Sequence, residues 1–131
     1  MKDYITLLRP LNAIMTVFLV VAGALVAGGG FSTQLVTAAI AAFLIAGGSM
    51  AINDYFDYRI DKINRPERAV ASGRISKKSA LTYALSLFTA AAALSLFLPF
   101  YAAILAFVNI VLSITYSWRF KGVTLLGNIV V

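Results

Sequence analysis

Cysteine and histidine are both absent from the 131 residues of this chain. Without cysteine the chain has no disulfide, no thiolate nucleophile and no soft metal ligand. Without histidine it lacks the commonest general base near neutral pH and the commonest ligand of transition metals. Charge is also scarce, since Asp, Glu, Lys and Arg make up 12% of the residues while 61% are hydrophobic. This balance excludes an ordinary soluble domain and predicts an integral membrane protein.

Long uncharged runs divide the chain into predicted membrane spans. A run of about 18 or more apolar residues is long enough to cross a bilayer as a helix. Because only helices and closed barrels satisfy the backbone inside lipid, the runs predict an all-α, polytopic transmembrane helix bundle in one domain. The first run is too long for a cleavable signal peptide. The predicted spans are residues 11–28, 36–63, 79–98 and 101–117, followed by the start of a fifth at 125–131.

The basic residues are distributed unevenly among the loops. Two precede the first span, seven lie between Arg59 and Lys78, and two follow the fourth span, which accounts for all 11 Lys and Arg residues. The positive-inside rule therefore places the N-terminus, the acidic and basic segment 53–78 and the pair Arg119 and Lys121 at the cytoplasmic side of the cell membrane. This distribution explains the net charge of +6, so no nucleic-acid partner is expected.

Four side chains that offer oxygen ligands lie where the second apolar run ends. On a helix that turns by about 100° per residue, Asn53, Asp54, Asp57 and Asp61 fall within one quadrant. A carboxylate in the bilayer core costs about 2.5–3.5 kcal/mol, and acids this close repel each other unless a cation lies among them. Oxygen ligands without His or Cys suit a hard cation, Mg²⁺ in particular. The alternative is a solvated extension of a membrane helix.

A loop rich in arginine and lysine follows the acidic residues on the same face of the membrane. Carboxylates, Mg²⁺ and basic side chains together form the composition expected for binding a diphosphate. If the organic tail of that diphosphate is a prenyl chain, it would lie among the apolar helices. The alternative for the basic residues is ordinary topogenic charge, which is the expectation for Arg59, Lys77 and Lys78.

A second polar stripe lies along the fourth predicted span. Asn109, Ser113 and Tyr116 follow the spacing i, i+4, i+7 and therefore share a helical face. Asn109 and Ser113 are expected either to line a pocket or to form hydrogen bonds between helices. Tyr116 would either stabilise a nearby cation or lie in the interfacial belt of aromatic residues. Packing between helices is expected for the polar stripe of the third span, which comprises Thr82, Ser86 and Thr89.

The acidic stretch and the loop after it resemble a known family of membrane enzymes. Residues 53–61, NDYFDYRID, are similar to the NDxxDxxxD motif of UbiA-type membrane prenyltransferases. Residues 63–68, INRPER, and residues 72–76, SGRIS, resemble the loop that follows that motif, although residues 69–71, AVA, stand where such loops usually carry prolines. Within the superfamily the chain looks most like the archaeal geranylgeranylglycerol-phosphate geranylgeranyltransferases.

The resemblance implies a Mg²⁺-dependent transferase of archaeal ether-lipid biosynthesis. The enzyme would move a geranylgeranyl group from geranylgeranyl diphosphate to a lipid-phosphate acceptor, geranylgeranylglyceryl phosphate. One alternative is a UbiA-type enzyme with an aromatic or chlorin acceptor, as in quinone or chlorophyll pathways. Another is a membrane transporter that uses the acids as an ion site. Acceptor identity, prenyl chain length and oligomeric state are left open by the sequence.

The resemblance, together with the polar stripe of the fourth span and the basic residues after it, gives roles to individual residues. The expected Mg²⁺ ligands are Asn53, Asp54, Asp57 and Asp61, and the three acids are expected to act in catalysis together with Tyr116. The expected substrate-binding residues are Asn12, Asn53, Arg68, Arg74, Asn109, Ser113, Ser117, Arg119 and Lys121.

The resemblance concerns only the first part of the family's fold. Members of the family carry a second aspartate-rich motif in their C-terminal half, whereas this sequence contains one acidic cluster. The expectation is therefore that the chain is the N-terminal part of such an enzyme and that it is inactive or severely impaired on its own.

Overall fold

The computed structural model describes residues 2–119, which form six helices and, within that range, no strand. The helices are α1 Lys2–Leu8, α2 Pro10–Val26, α3 Thr33–Phe56, α4 Tyr58–Asn64, α5 Lys77–Ser95 and α6 Phe100–Trp118. The predicted all-α class is therefore confirmed. The predicted start of a further span at 125–131 lies outside the described residues.

Helix α3 is the centre of the fold and packs against α1, α2, α5 and α6. Small residues on its buried face allow the neighbouring helices to approach closely. A Cβ atom added to Gly48 would lie 2.8 Å from Phe88 Cε1, and one added to Gly47 would lie 2.7 Å from Leu8 Cδ1. The two glycines thus let α5 and α1 lie directly against α3.

Serine caps fix the residues at which α3 and α5 begin. Ser32 Oγ accepts a hydrogen bond from the N–H of Leu35 at 3.2 Å, and Ser76 Oγ accepts one from the N–H of Ser79 at 3.0 Å. Each cap satisfies a backbone donor that the first turn of a helix leaves without a partner. The loop after α4 therefore ends at Ser76, and α5 begins at Lys77, slightly before the predicted span at 79–98.

The single helix predicted over residues 36–63 is divided at Asp57 in the structure. Helix α3 ends before this residue and α4 begins after it, because Asp57 has φ −76° and ψ −1°, a ψ far from the helical value. Backbone hydrogen bonds still run from the N–H of Asp57 to Asn53 at 2.9 Å and from the N–H of Asp61 to Asp57 at 2.8 Å. The acids thus stay close together although the helix is interrupted.

Two described helices, α3 and α6, are each long and apolar enough to cross a membrane. Helices α1 and α2 form a third such unit if they are taken together across their bend of 44°. Among the described helices, α5 does not reach the same apolarity, since it includes Lys77, Lys78 and several hydroxyl side chains. The total number of spans therefore stays a prediction.

Candidate active site

Three carboxylates are buried where α3 ends and α4 begins. The exposed fractions of Asp54, Asp57 and Asp61 are 4%, 7% and 6%. Burial of an ionised carboxylate is costly unless ion pairs and hydrogen bonds offset the lost hydration. The structure supplies this compensation in part through two arginine side chains from other segments of the chain.

Arg68 bridges two of the three acids. Its Nη1 atom lies 2.6 Å from Asp61 Oδ2 and 3.3 Å from Asp54 Oδ1. The Arg68 side chain is itself only 14% exposed, so both ion pairs are largely shielded from water. Arg68, one of the predicted substrate-binding residues, is therefore placed among the predicted catalytic acids.

Arg9 is a second cationic partner of Asp54. Its Nη2 atom donates to Asp54 Oδ1 at 2.6 Å, and its Nη1 atom donates to Met50 Sδ at 3.5 Å. Sequence reasoning did not select Arg9 as a site residue. The signal that could have found it was the positive-inside pattern, which places this arginine at the same membrane surface as the acids.

The backbone of Arg9 has a left-handed conformation, with φ 51° and ψ 67°. Among the described residues it is the only non-glycine residue with a positive φ. This conformation costs a residue with a side chain about 1–2 kcal/mol. The ion pair with Asp54 gives a physical reason why arginine, rather than glycine, stands at the junction of α1 and α2.

Small apolar side chains anchor the loop that carries Arg68. Ala69, Val70 and Ala71 are 3%, 1% and 7% exposed, and the N–H of Ile75 bonds to the carbonyl of Ala69 at 3.0 Å. These contacts fix the backbone next to Arg68, so that its guanidinium group reaches both acids. Residues 69–71 are therefore part of the core.

A cavity of about 380 Å³ opens beside these ion pairs and is called the acidic cavity below. Three guanidinium groups and two carboxylates lie in its wall, which suits the binding of phosphate oxygens. Asp57 and Asp61 are not among its lining residues, although Asp61 is joined to it through Arg68. The lining consists of Thr6, Leu7, Arg9, Asp54, Arg65, Glu67, Arg68 and Ala69.

The predicted metal ligands do not form a ready-made metal site. Within residues 2–119, no three Asp, Glu, His or Cys side chains are arranged so that they could hold a metal ion by themselves. Asp54 and Asp61 contact Arg68, and Asn53 and Asp57 also interact with other groups. The all-oxygen donor set nevertheless fits Mg²⁺ in its chemistry, because this ion takes only one or two protein carboxylates and completes its shell with water and phosphate oxygens.

Arg74, another predicted substrate-binding residue, lies at the outer side of the loop. Its Nε atom is 2.9 Å from Asp3 Oδ1, and its Nη2 atom donates to the carbonyl of Glu67 at 2.8 Å. The side chains of this ion pair are 46% and 42% exposed. Arg74 therefore links α1 to the loop and is not among the residues that line the acidic cavity.

A second cavity, of about 470 Å³, lies between α2, α3 and α6 and has a mostly apolar lining. Ser113 lines this cavity and also accepts a hydrogen bond from Ser49 Oγ at 2.8 Å, which joins α6 to α3. Asn109 lines the same cavity, and its Nδ2 atom donates to the carbonyl of Leu105 on its own helix. The two uses considered for Ser113, a pocket and an interhelical hydrogen bond, thus occur together.

The remaining predicted site residues line neither of these two cavities. Asn12 is exposed near the start of α2. Tyr116 is half-buried and Ser117 is buried near the end of α6, and Arg119 is exposed directly after it. Lys121 lies outside the described residues. Within residues 2–119 the structure therefore brings Asp54, Asp61 and Arg68 together, whereas Asn12, Tyr116, Ser117 and Arg119 line neither cavity.

Comparison with known proteins decides the family. Residues 15–131 match the UbiA prenyltransferase family. The chain belongs to this family. The match includes the acidic cluster and the basic loop, so the membership that residues 53–76 suggested is confirmed.

Several curated relatives of this UbiA-family chain are named digeranylgeranylglyceryl phosphate synthase. The relative from Methanopyrus kandleri is 40% identical over 131 residues, which cover 100% of this chain and 48% of the relative. The relative from Thermococcus kodakarensis is 41% identical over 133 residues, covering 99% and 48%. The relative from Haloquadratum walsbyi is 44% identical over 133 residues, covering 99% and 46%. The chain thus spans about half the length of the curated relatives it matches.

A solved structure has the same arrangement of helices. It matches with a TM-score of 0.94 and 29% sequence identity, and the match covers 98% of this chain and 47% of that one. The study of that structure concerns digeranylgeranylglyceryl phosphate synthase in membranes. The predicted fold, a helical membrane bundle of the UbiA type, is therefore confirmed for the matched part.

Proposed function

We propose that this chain forms part of an intramembrane enzyme that transfers a geranylgeranyl group from geranylgeranyl diphosphate to geranylgeranylglyceryl phosphate. The observation that carries the proposal is the position of Asp54 between Arg9 and Arg68, in a cavity at the end of a membrane-length helix. The name of the relatives supports this choice of reaction, because the transfer would yield digeranylgeranylglyceryl phosphate.

The arginines of the acidic cavity would bind the diphosphate of the donor. Guanidinium groups match phosphate oxygens because they offer several N–H donors in one plane. Arg9, Arg65 and Arg68 lie in the cavity wall. Phosphate oxygens that enter the cavity would compete with Asp54 for these donors and so release carboxylate oxygens for a cation. Because one ion pair replaces another, no buried charge is left without a partner.

The acids would provide the oxygen ligands for Mg²⁺. We assign this role to Asp54, Asp57 and Asp61, with the amide oxygen of Asn53 as a further ligand. When bound, Mg²⁺ would supply positive charge that stabilises the departing diphosphate. The protein's own contribution is to hold the three carboxylates close together at one end of the bundle and away from bulk water.

The apolar cavity between α2, α3 and α6 would accommodate a prenyl chain. Its lining is mostly hydrocarbon, and the polar exceptions are Thr16, Ser49, Asn109 and Ser113. An aromatic ring stabilises a nearby cation, so Tyr116 stays the candidate that would face the developing allylic cation. Asn12, Arg74, Ser117, Arg119 and Lys121 stay candidates for contacts with the donor or the acceptor.

The active site would lie at the cytoplasmic surface of the cell membrane. The membrane location is supported by the apolar helices and by the membership of the UbiA family. The orientation is supported by the charge pattern alone, since all 11 basic residues lie in segments that the positive-inside rule assigns to the cytoplasmic side.

A transfer assay with radiolabelled geranylgeranyl diphosphate tests this function. The chain should be joined to the remaining C-terminal part of the Methanopyrus kandleri relative, because it spans about half the length of that protein. Membranes that contain this fusion should label geranylgeranylglyceryl phosphate when Mg²⁺ is present. The same fusion with Asp57→Ala should lose about 100-fold or more of this activity, since it lacks one proposed ligand of the Mg²⁺ ion that would stabilise the departing diphosphate.

Parallel samples distinguish the other functions considered. Labelling of an aromatic quinone precursor or of a chlorophyllide, with no labelling of the glyceryl phosphate, would favour a ring acceptor. Cation flux through liposomes that contain the protein, without Mg²⁺-dependent binding of a prenyl diphosphate, would favour a transporter.

A further inference from the structure

A cleft between α1 and α5 is lined entirely by side chains with polar groups. Its volume is about 390 Å³. Five of its six lining residues carry a hydroxyl group, the sixth carries an ammonium group, and none is an acid. The residues that define this α1–α5 cleft are Tyr4, Lys78, Ser79, Thr82, Tyr83 and Ser86.

The polar stripe of α5 faces away from α3. On a scale of about 100° per residue that starts at Lys78, Thr82 lies near 40° and Ser86 near 80°, whereas the buried residues Ala80 and Ala84 lie near 200° and 240°. Thr82 and Ser86 are exposed. Within residues 2–119 the stripe is therefore exposed and not packed between helices as expected, because α5 turns its alanines toward α3.

The donor groups of the cleft have few acceptors within the protein. The ion pairs among residues 2–119 are those of Arg9, Arg68 and Arg74, so Lys78 has no carboxylate partner there. Ser86 Oγ donates to the carbonyl of Tyr83 at 2.8 Å, which leaves its oxygen free to accept another hydrogen bond. The cleft thus presents positive charge and hydroxyl groups outward.

The α1–α5 cleft is separate from the acidic cavity. Helix α1 contributes Tyr4 to the cleft but Thr6 and Leu7 to the acidic cavity. No described residue lines both the cleft and the acidic cavity. The ring of Tyr4 packs edge-to-face on that of Tyr83, with centroids 5.2 Å apart, and so closes one end of the cleft. A diphosphate in the acidic cavity would not fill the cleft.

We propose that the α1–α5 cleft binds the phosphate headgroup of an anionic membrane lipid. Lys78 supplies the charge, and the hydroxyl groups of Thr82, Tyr4 and Tyr83 supply donors to phosphate oxygens. The cleft lies at the start of α5, directly after the basic loop that the charge pattern assigns to the cytoplasmic surface, where lipid phosphates are found. Leu85 lies two turns further along the same face of α5 as Lys78, is 48% exposed and offers apolar surface to the acyl chain.

Native mass spectrometry of the purified chain tests the proposal with phosphatidylglycerol and phosphatidylcholine as probes. We expect the first phosphatidylglycerol to bind about tenfold or more tightly than phosphatidylcholine, which corresponds to one additional charge-assisted contact. Lys78→Gln and Thr82→Val should each weaken this first binding by about the same factor, and Lys78→Arg should preserve it. The matched control is Lys77→Gln, because Lys77 Nζ lies 4.6 Å from the centre of the Tyr55 ring and not in the cleft.

Several results would overturn the lipid assignment. One is equal binding of both lipids by the unsubstituted chain and by the Lys78→Gln and Thr82→Val variants. Another is an equal loss of binding in Lys77→Gln and Lys78→Gln, which would show general surface attraction. Displacement of the lipid by inorganic phosphate at equal concentration would show a site for free phosphate instead.

Two further measurements keep these results interpretable. Thr82→Ser should bind like the unsubstituted chain because it keeps the hydroxyl group, and its failure to do so would contradict the hydroxyl's role. Thermal unfolding of each variant in detergent, monitored by circular dichroism, distinguishes the loss of a contact from the loss of the fold. Because the readout is lipid binding, the result does not depend on prenyl transfer.

Discussion

Arg9 Nη2 lies 2.6 Å from Asp54 Oδ1, and this contact joins the α1–α2 junction to the acidic end of α3. The same carboxylate oxygen also receives Arg68 Nη1 at 3.3 Å. Two cations from distant segments thus converge on one oxygen atom of a buried acid. Because both arginines compensate the buried charge of Asp54, each contact can be tested by substitution of its arginine.

Replacement of Arg9 by glycine separates the role of its side chain from that of its backbone. Glycine adopts a positive φ without the steric cost that arginine incurs, so Arg9→Gly should not strain the junction. We expect this variant to bind a non-hydrolysable geranylgeranyl diphosphate analogue about tenfold more weakly, because one charge-assisted phosphate contact is lost. Calorimetric titration in detergent measures this change.

Two further variants control for charge at the Arg9 position. Arg9→Lys should show an intermediate affinity, since an ammonium group retains the charge but lacks the planar set of donors. Lys2→Gln removes the basic residue of α1 and should leave the affinity unchanged. Unchanged affinity in Arg9→Gly would exclude Arg9 from the substrate site.

Removal of the Arg68 guanidinium group should destabilise the fold. Arg68→Gln would leave Asp54 and Asp61 buried with one ion-pair partner fewer each, and breaking a buried ion pair costs about 3–5 kcal/mol. We expect a clear decrease in the midpoint of thermal unfolding in detergent. Arg74→Gln is the control, because its ion pair with Asp3 is nearly half exposed and such pairs contribute about 0–1 kcal/mol. Similar decreases for both variants would contradict the special role of Arg68.

The close approach of α5 to α3 predicts different effects for two glycine substitutions. A Cβ atom at Gly48 would lie 2.8 Å from Phe88 Cε1, so Gly48→Ala should lower the free energy of unfolding by about 1–3 kcal/mol. A Cβ atom at Gly23 would meet nothing within 4 Å, so Gly23→Ala should be neutral or stabilising. Unfolding in detergent with a chemical denaturant compares the two variants. Equal stability of both would show that Gly48 is not needed for helix packing.

The acidic cluster was predictable from the sequence for a simple physical reason, whereas Arg68 was selected because it lies in the loop that resembles the UbiA-type pattern. Carboxylates at the end of an apolar run are energetically costly to place in a membrane, so their presence there indicates a cationic partner. Arg9 was not predictable in this way, because an arginine before a first membrane span already has an explanation as topogenic charge. Its partner lies 45 residues away, and that contact exists only when α1 packs on α3.

Three local features were not evident from the sequence pattern. The spacing of the acids is compatible with one continuous helix, and periodicity alone gives no sign of the interruption at Asp57. Val70 and its alanine neighbours looked like a departure from the family's loop, whereas their burial shows that they anchor the backbone beside Arg68. The polar stripe of α5 was assigned to the wrong face because helical spacing shows which residues share a face but not where that face points.

The central claim is that the buried acids bind a prenyl diphosphate through Mg²⁺ with the help of the neighbouring arginines. Its most direct test is the affinity of the purified chain for geranylgeranyl thiodiphosphate, measured with Mg²⁺ and after chelation. We predict saturable binding that weakens about tenfold or more without Mg²⁺, the same weakening in Asp54→Asn with Mg²⁺ present, and no change in the control Asp3→Asn. Binding that is equal with and without Mg²⁺ and equal in Asp54→Asn would contradict the claim.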